Sequence, residues 1–450
     1  MQFELTQEIV TQIIAYINDK KDNELSKLLT ELHYADIAEI LEELNFEEAL
    51  YIIKLLDSEQ TADIIAELDE DTREKVLESL SSKEIAEEID ELETDDAADI
   101  LNELPEERKE EVIAQIEDYD HAKDILELLK YDEDTAGGLM SKELIAVNEN
   151  WTVMRCVREM REQAKEFDRV HTIYVIDDNE TLKGRLSLKS LLTTSTKTPI
   201  KEIYNPKITS VKTNEDDEEV AKIMQKYDLV VIPVIDELER LVGQITIDDV
   251  VDVIRDEADK DYQMAAGITQ DVEADDTVWE LTRARLPWLI LGLLGGLGSV
   301  FIMEGFDEAL NNYKELFFFT PLIAAMAGNV GVQSSAIIVQ GLANDNVKGS
   351  LWERLLKEVG LSLINGIVLG IIVVLFGIVT GLDNKFSLTI SLSMLCVIIV
   401  AALIGTFVPI ILNKRGIDPA IATGPFITTS NDIFGIFLFF YIAKLILGFH

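Results

Sequence analysis

Between Leu286 and the C-terminus the chain carries five apolar segments, at about 286–303, 317–339, 359–380, 387–412 and 419–447. Each approaches the roughly 20 residues that span a bilayer's hydrocarbon core. In that solvent a lone segment can satisfy its backbone polar groups only as a helix, so an all-α domain of five membrane helices is expected. The charge distribution agrees. Leu286–His450 holds 10 acidic and 8 basic side chains, although the whole chain has a net charge of −45. Met1–Arg285 therefore carries 74 acidic and 31 basic residues, net −43. Such a surface repels phosphates and shows no basic stripe, which excludes nucleic acid as a partner. Cys156 and Cys396 form no CxxC pair and read as apolar filler, not as a disulfide or zinc site. The opening MQFELTQEIV has neither a basic nor an apolar leader region, so the acidic part is expected to stay on the side where it was made.

Basic residues orient the helices. With the N-terminus inside, inner flanks hold Arg283, Arg285, Lys348, Arg354, Lys357, Lys414 and Arg415, against Lys314, Lys385 and Lys444 outside. The acidic part is then cytoplasmic and the C-terminus external. Two segments are unusually polar. The second contains Pro321 and AGNVGVQSS, with Gly328, Asn329, Gly331 and Gln333. The fifth contains TGPFITTSNDIFG, with Pro425, Thr428, Asn431 and Asp432. Small residues alone permit close helix packing. Polar or broken backbone at this depth is tolerated only inside protein or beside water, so this pair is expected to line a pathway. Asp432 reads as the only ionisable group well inside any segment, with no Lys or Arg at comparable depth. A carboxylate there costs about 2.5–3.5 kcal/mol and needs a partner, and a passing cation meets that need. The donors are all oxygen, which favours Mg²⁺, Ca²⁺ or Mn²⁺ over zinc or copper.

The first 130 residues form an acidic helical domain with a loose repeat: ADIAEILEEL, ADIIAEL, AADILNEL and AKDILELL. Apolar positions recur at helical spacing, as in a small superhelical stack. After DEDTAGGLM the pattern changes. YVIDDNETLKGRLSLKSLL, from Tyr174, aligns without gaps with PVIDELERLVGQITIDDVV, from Pro233, over 19 residues at an offset of 59. Both read strand–turn–strand–helix. This duplication resembles a tandem pair of α/β cystathionine-β-synthase (CBS) domains, placed at 131–200 and 201–254. The resemblance makes ATP a candidate ligand, although no nucleotide motif is decisive. An acidic connecting helix is expected over 255–280, ahead of a membrane domain at 281–450.

Taken with these motifs, the domain order resembles the MgtE family of magnesium channels and transporters across essentially the whole chain. The resemblance implies a homodimer in the plasma membrane whose second and fifth helices line a Mg²⁺ pathway at Asp432. It implies no enzyme activity. It also implies that cytosolic Mg²⁺ closes the path through regulatory acids at Asp63, Asp95 and Asp99, then Asp216, Glu218, Asp228, Asp249 and Asp252. Glu257 and Asp261 match on the connecting helix, and Asp418 on the loop before the last segment. Lys260 interrupts the acidic run, which shifts one expected ligand to Asp259. Competing readings are a membrane-anchored CBS nucleotide sensor, a transporter of Mn²⁺, Co²⁺ or Ca²⁺, and an intramembrane aspartic protease. Ile433 and Phe434 after Asp432 disfavour the last, because such an aspartate is followed by Thr/Ser-Gly.

Overall fold

The computed structural model describes residues 5–165, 170–269, 272, 276–343, 349–422 and 424–448. It consists of two units, Met1–Ile254 and Arg255–His450.

In the first unit, ten helices of 8–13 residues run from Gln7 to Leu128. None is long enough to be stable alone in water, so each depends on burying one face. The repeat determines that face. Ile37, Ile40 and Leu41 are buried in one copy, Ala62, Ile64 and Ile65 in the next, and Ala97, Ile100 and Leu101 in a third. Caps separate the helices. Asn45 with Glu48, and Ser81 with Glu84, form reciprocal capping boxes. Two arginines satisfy carbonyls left open where helices end. Arg73 donates to Ala66 O at 2.9 Å and Leu68 O at 3.1 Å, while Arg108 donates to Leu77 O and Leu80 O.

The tandem repeat folds into two matching three-stranded sheets. In the first, β1 (Ile145–Asn148) pairs parallel with β2 (Ile173–Ile176), and β2 pairs antiparallel with β3 (Leu182–Leu186). In the second, β4 (Val211–Lys212), β5 (Val231–Ile235) and β6 (Leu241–Thr246) repeat that order. The correspondence extends to irregularities. Bulges fall at Val175/Ile176 and at Val234/Ile235, and Gly184 and Gly243 face Val175 and Val234. Glu180 and Glu239 occupy left-handed turn positions at φ 65° and 62°. The two turns exchange hydrogen bonds, Leu182 N–H to Glu239 O and Leu241 N–H to Glu180 O, both at 3.0 Å. A reciprocal pair of this kind is the mark of a local twofold. A side chain on Gly243 would collide with Met140 and Ser141 O, so this glycine is what lets the segment after DEDTAGGLM cross β6.

Three helices matter for the sites below: α1 (Thr94–Glu103), α2 (Asp217–Tyr227) and α3 (Ile247–Ala266). The last differs from expectation. Its acidic stretch is one uninterrupted 20-residue helix that starts directly after β6 and ends at Gly267, φ 82°, well short of residue 280.

Among its described residues the second unit contains five helices long and apolar enough to cross a membrane: α4 (Val278–Glu304), α5 (Leu316–Ala343), α6 (Leu351–Thr380), α7 (Asn384–Asn413) and α8 (Gly424–Leu447). The segment expected from 419 divides into a 3₁₀ turn, Pro419–Ala422, and a helix that begins at Gly424. Helices α4 and α6 begin eight residues earlier than hydropathy placed them, because Thr277 and Ser350 supply capping boxes. Hydropathy marks the lipid-immersed length, whereas caps mark where the hydrogen-bonded helix begins. Lys348, used in the orientation argument, lies outside the described residues. Small residues bring helices together. Gly366, Gly370 and Gly377 of α6 face Leu395, Ser391 and Ser387 of α7, and Gly405 of α7 rests on the backbone of Gly331 in α5.

Candidate ion pathway and cation-sensing cluster

Helix α5 divides the polar residues of its motif between two faces. Gly328, Gly331, Ser334 and Ser335 are buried, whereas Leu322, Ala325, Asn329 and Gln333 share one exposed stripe. The glycines have a packing reason. Gly328 lies against Thr428 of α8, and a side chain on Gly331 would occupy the space of Asn431 and Ile427. Pro321 is exposed and lies inside the helix, where its missing N–H leaves the Phe317 carbonyl open, and Thr320 Oγ1 donates to that carbonyl at 2.8 Å.

On α8, Asp432 is half-buried and has no hydrogen bond or ion pair among the described residues. Asn431 behaves differently. It is 1% exposed, faces Gly331, and neither its Nδ2 nor its Oδ1 has a partner among the described residues. The structure therefore puts Asn431 inside a helix contact and not on the exposed stripe with Asn329 and Gln333. Thr428 turns its hydroxyl back to Gly424 O at 3.2 Å and Pro425 O at 3.1 Å. The start of α8 is packed against the end of α3. Gly424 lies on Ala265 O, and Pro425 on Gly267.

A second carboxylate, Glu358, meets the α5 motif from the start of α6. Because α6 begins at Leu351, Glu358 lies roughly two turns inside the helix, at the edge of its apolar segment. Glu358 accepts a 2.6 Å hydrogen bond from Ser334, so its carboxylate is engaged with the α5 motif. Asp432 is distinguished by having no such partner among the described residues. Hydropathy missed Glu358 because it flanks the apolar window.

In the first unit, folding gathers part of the expected acidic set. Asp95 on α1 is 8% exposed and its Oδ1 has no hydrogen bond among the described residues. Burial, then repulsion from Asp249, holds the Asp95 carboxyl well above the usual carboxylate range. Asp96 and Asp99 retain an exposed edge, yet crowding pushes each to about 7, burial first and neighbouring acids second. Burial also raises Asp249, against the opposing pull of Thr246, which donates to its Oδ2 from N at 3.2 Å and from Oγ1 at 2.6 Å. Glu67 is raised by burial and then by Asp252 and, more weakly, Asp63. Asp63, Asp95, Asp99, Asp249 and Asp252 thus belong to one electrostatic cluster. Glu67 and Asp96, which sequence reasoning did not single out, belong to it too.

Other expected ligands have local structural roles instead. Asp216 caps α2 through Glu219 N–H at 3.4 Å, Glu218 pairs with Lys222 at 2.8 Å, and Asp228 ends α2 at φ 51°. Glu257 pairs with Lys260 at 2.9 Å, so the residue that interrupts the acidic run neutralises its neighbour. Asp259 is exposed, Asp261 is half-buried, and Asp418 caps the 3₁₀ turn through Ala420 N–H at 2.7 Å.

The cluster predicts a pH response. Asp95, Asp96, Asp99 and Asp249 have folded-state pKa values above the ~3.9 of an unfolded aspartate, so protonation favours the fold. The repulsive cost is fully present above about pH 7 and is relieved as pH falls toward about 4. The melting temperature of cation-free protein should rise from about pH 8 to pH 6, and millimolar divalent cation at about pH 8 should replace that rise. A flat profile would show that these acids do not crowd one another in solution.

A separate cavity of about 680 Å³ opens beside β2 and β3, with His171, Arg185, Ser187, Ser190 and Asn205 among its polar lining. A second, of about 440 Å³, is acidic and lined by Asp63, Glu93, Glu143 and Gln244 among others; His171 borders both.

Comparison with known proteins matches these regions separately. Residues 320–442 match the MgtE family described as a divalent cation transporter, residues 32–134 the MgtE intracellular N domain, and residues 136–196 and 200–256 the CBS domain. The magnesium transporter MgtE of Thermus thermophilus is 36% identical over 328 residues, covering 71% of this chain and 72% of that protein. The magnesium transporter MgtE of Bacillus subtilis is 33% identical over 317 residues, covering 70% of each. Among solved structures, the cytosolic domain of the Mg²⁺ channel MgtE in complex with ATP is 34% identical with a TM-score of 0.51. It covers 54% of this chain and 99% of that one. The soluble part of a magnesium transporter is 29% identical with a TM-score of 0.50, covering 56% and 99%.

Proposed function

Because this chain belongs to the MgtE family of divalent cation transporters, we propose that it carries Mg²⁺ across the plasma membrane along α5 and α8, and that its acidic unit closes the path when internal Mg²⁺ is plentiful. The supporting observation is Asp432, a half-buried membrane carboxylate without a partner among the described residues, next to a helix that exposes Asn329 and Gln333. Mg²⁺ sheds water reluctantly, and oxygen groups that contact its hydration shell suit it better than a dry cage. One Asp432 stabilises such an ion weakly, whereas two related by a homodimer axis place two negative charges around it. A second chain also gives the exposed stripe of α5 a partner. Asn431, Gly328 and Gly331 then set the spacing of α5 and α8, and Pro321, Pro425 and Thr428 shape the helix starts.

Closure follows from the cluster around Asp95 and Asp249. Like charges oppose compaction, and a cation that binds only the compact form stabilises it by RT ln(1 + [L]/Kd). The end of α3 lies against Gly424 and Pro425, so the acidic connecting helix, with Glu257, Asp259 and Asp261, and the Asp418 turn are placed to act on the start of α8. Asp216, Glu218 and Asp228 are further candidate cation contacts beyond their structural roles. The acidic unit is cytoplasmic and the C-terminus external, in keeping with the basic inner flanks. ATP, which a structural relative binds, fits the cavity at Arg185 and His171 as a regulatory ligand. The protein acts as a transporter and not as an enzyme. Expression in a host lacking its own Mg²⁺ uptake systems should restore growth at low Mg²⁺. If it restores accumulation of Mn²⁺, Co²⁺ or Ca²⁺ but not Mg²⁺, the assignment of the cargo is wrong.

A further inference from the structure

Asn431 is 1% exposed, and neither end of its amide has a hydrogen-bond partner among the described residues. The other buried side chains of α7 and α8 in that state are the hydroxyls of Ser387, Ser393 and Thr406. A hydroxyl can turn back to a carbonyl of its own helix, as Thr428 does. A carboxamide needs both a donor and an acceptor, and its own helix does not supply them together. At membrane depth polar groups persist where they pair or meet water. A conformation that leaves both ends of Asn431 bare is therefore disfavoured at this residue.

The packing of α8 offers a way out of it. Against α5 the helix sets Thr428, Asn431 and Gly435 beside Gly328, Gly331 and Ala327. Against α4 it sets Thr429 and Ile433 beside Gly295 and Gly298. Each of these contacts has a glycine on one side, so little ridge-into-groove interlock holds α8 at one rotation there. The base of the helix is where a push arrives. Gly424, at φ 31°, lies on Ala265 O, and Pro425 lies on Gly267, both at the end of α3. Neighbouring residues on a helix are about 100° apart, so a roll of about half that frees the Asn431 amide from Gly331 and keeps Asp432 beside it. We infer that Asn431 is a pathway residue of the conducting conformation, sheltered here against Gly331 and brought beside Asp432 when α8 rolls. There its amide hydrogen-bonds to the water shell of the divalent cation, and both of its bare ends are satisfied. The conformation described here is then the non-conducting one. The inference rests on the transport reading above and adds the residue whose exposure separates the two states.

The test uses full-length protein in inside-out membrane vesicles, where the bath sets internal Mg²⁺. Asn431→Leu keeps nearly the same shape and removes both polar ends, so the melting temperature should stay the same or rise. Mg²⁺ flux per inserted molecule at low internal Mg²⁺ should nevertheless fall about tenfold, a shift of about 1.4 kcal/mol between conformations. A merely structural role predicts wild-type flux from the stable variant. Thr406→Val, which removes a bare hydroxyl from α7, should leave flux unchanged. A second measurement does not depend on the leucine variant. In a Cys156→Ala/Cys396→Ala background, Asn431→Cys should react with a small cationic thiosulfonate at least about tenfold faster without internal Mg²⁺ than with it. If Asn431→Leu carries wild-type flux and the Asn431→Cys thiol is equally shielded in both conditions, the inference is overturned while the transport reading stands. If Thr406→Val lowers flux as much as Asn431→Leu, the effect does not belong to Asn431 and the inference is again overturned. If wild-type protein carries no Mg²⁺, both are overturned.

Discussion

Asp432→Asn, inserted and expressed at wild-type level, should abolish Mg²⁺ influx and the growth that depends on it. Asparagine keeps the size and the oxygen but removes the charge. A full charge facing a divalent ion at about 5 Å is worth several kcal/mol at an effective dielectric near 20. Every 1.4 kcal/mol lost is tenfold, so a fall of more than about a hundredfold is expected. Restoring the carboxylate as Asp432→Glu should recover part of the flux, because the longer side chain keeps the charge near the path. The competing explanation is that Asp432 only holds α8 in place. In that case Asp432→Asn would lower the amount of folded protein and leave flux per molecule intact. Wild-type flux from correctly inserted Asp432→Asn protein would end the proposal.

Asp249→Asn combined with Asp252→Asn should leave the path open at internal Mg²⁺ levels that close the wild-type protein. Asp249 is the largest charged neighbour acting on Asp95, and Asp252 acts on Glu67, so the pair faces the N-terminal helices from α3. Neutralising both removes the repulsion that a cation must offset and much of what attracts the cation. Moving a two-state equilibrium from 1:99 to 99:1 takes about 5.5 kcal/mol, which several weak sites supply together. Losing even two of them should keep conduction at high internal Mg²⁺ at least about tenfold above wild type. Patch recording of the internal face reads this directly. Closure at the wild-type Mg²⁺ concentration would move the sensor to other residues, such as the exposed acids of the connecting helix.

Much of this organisation is legible in the residues because it depends on local periodicity. A 3.6-residue apolar period identifies the N-terminal helices and a 59-residue offset reveals the twin sheets. The same logic explains the misses. Lipid-length counting put the start of α6 after Glu358, whereas a helix cap at Ser350 starts the helix eight residues earlier. Asn431 shares a motif with Asp432, yet one residue along a helix turns the side chain by about 100° and places it against Gly331. Asp216 and Asp228 match the family motif, but local spacing does not reveal that they also cap α2.

Sequence alone determined that five segments need lipid, that the remaining chain is acidic enough to repel itself, and that two α/β units are copies. Each follows from composition or repetition along the chain, which need no knowledge of neighbours in space. Only the tertiary structure decided which acids crowd one another, that Glu143 reaches Thr94 across 49 residues, and that Glu358 has a partner where Asp432 has none among the described residues. The physical reason is desolvation. A carboxylate's state depends on what surrounds it in three dimensions, and residues far apart in the chain supply those surroundings.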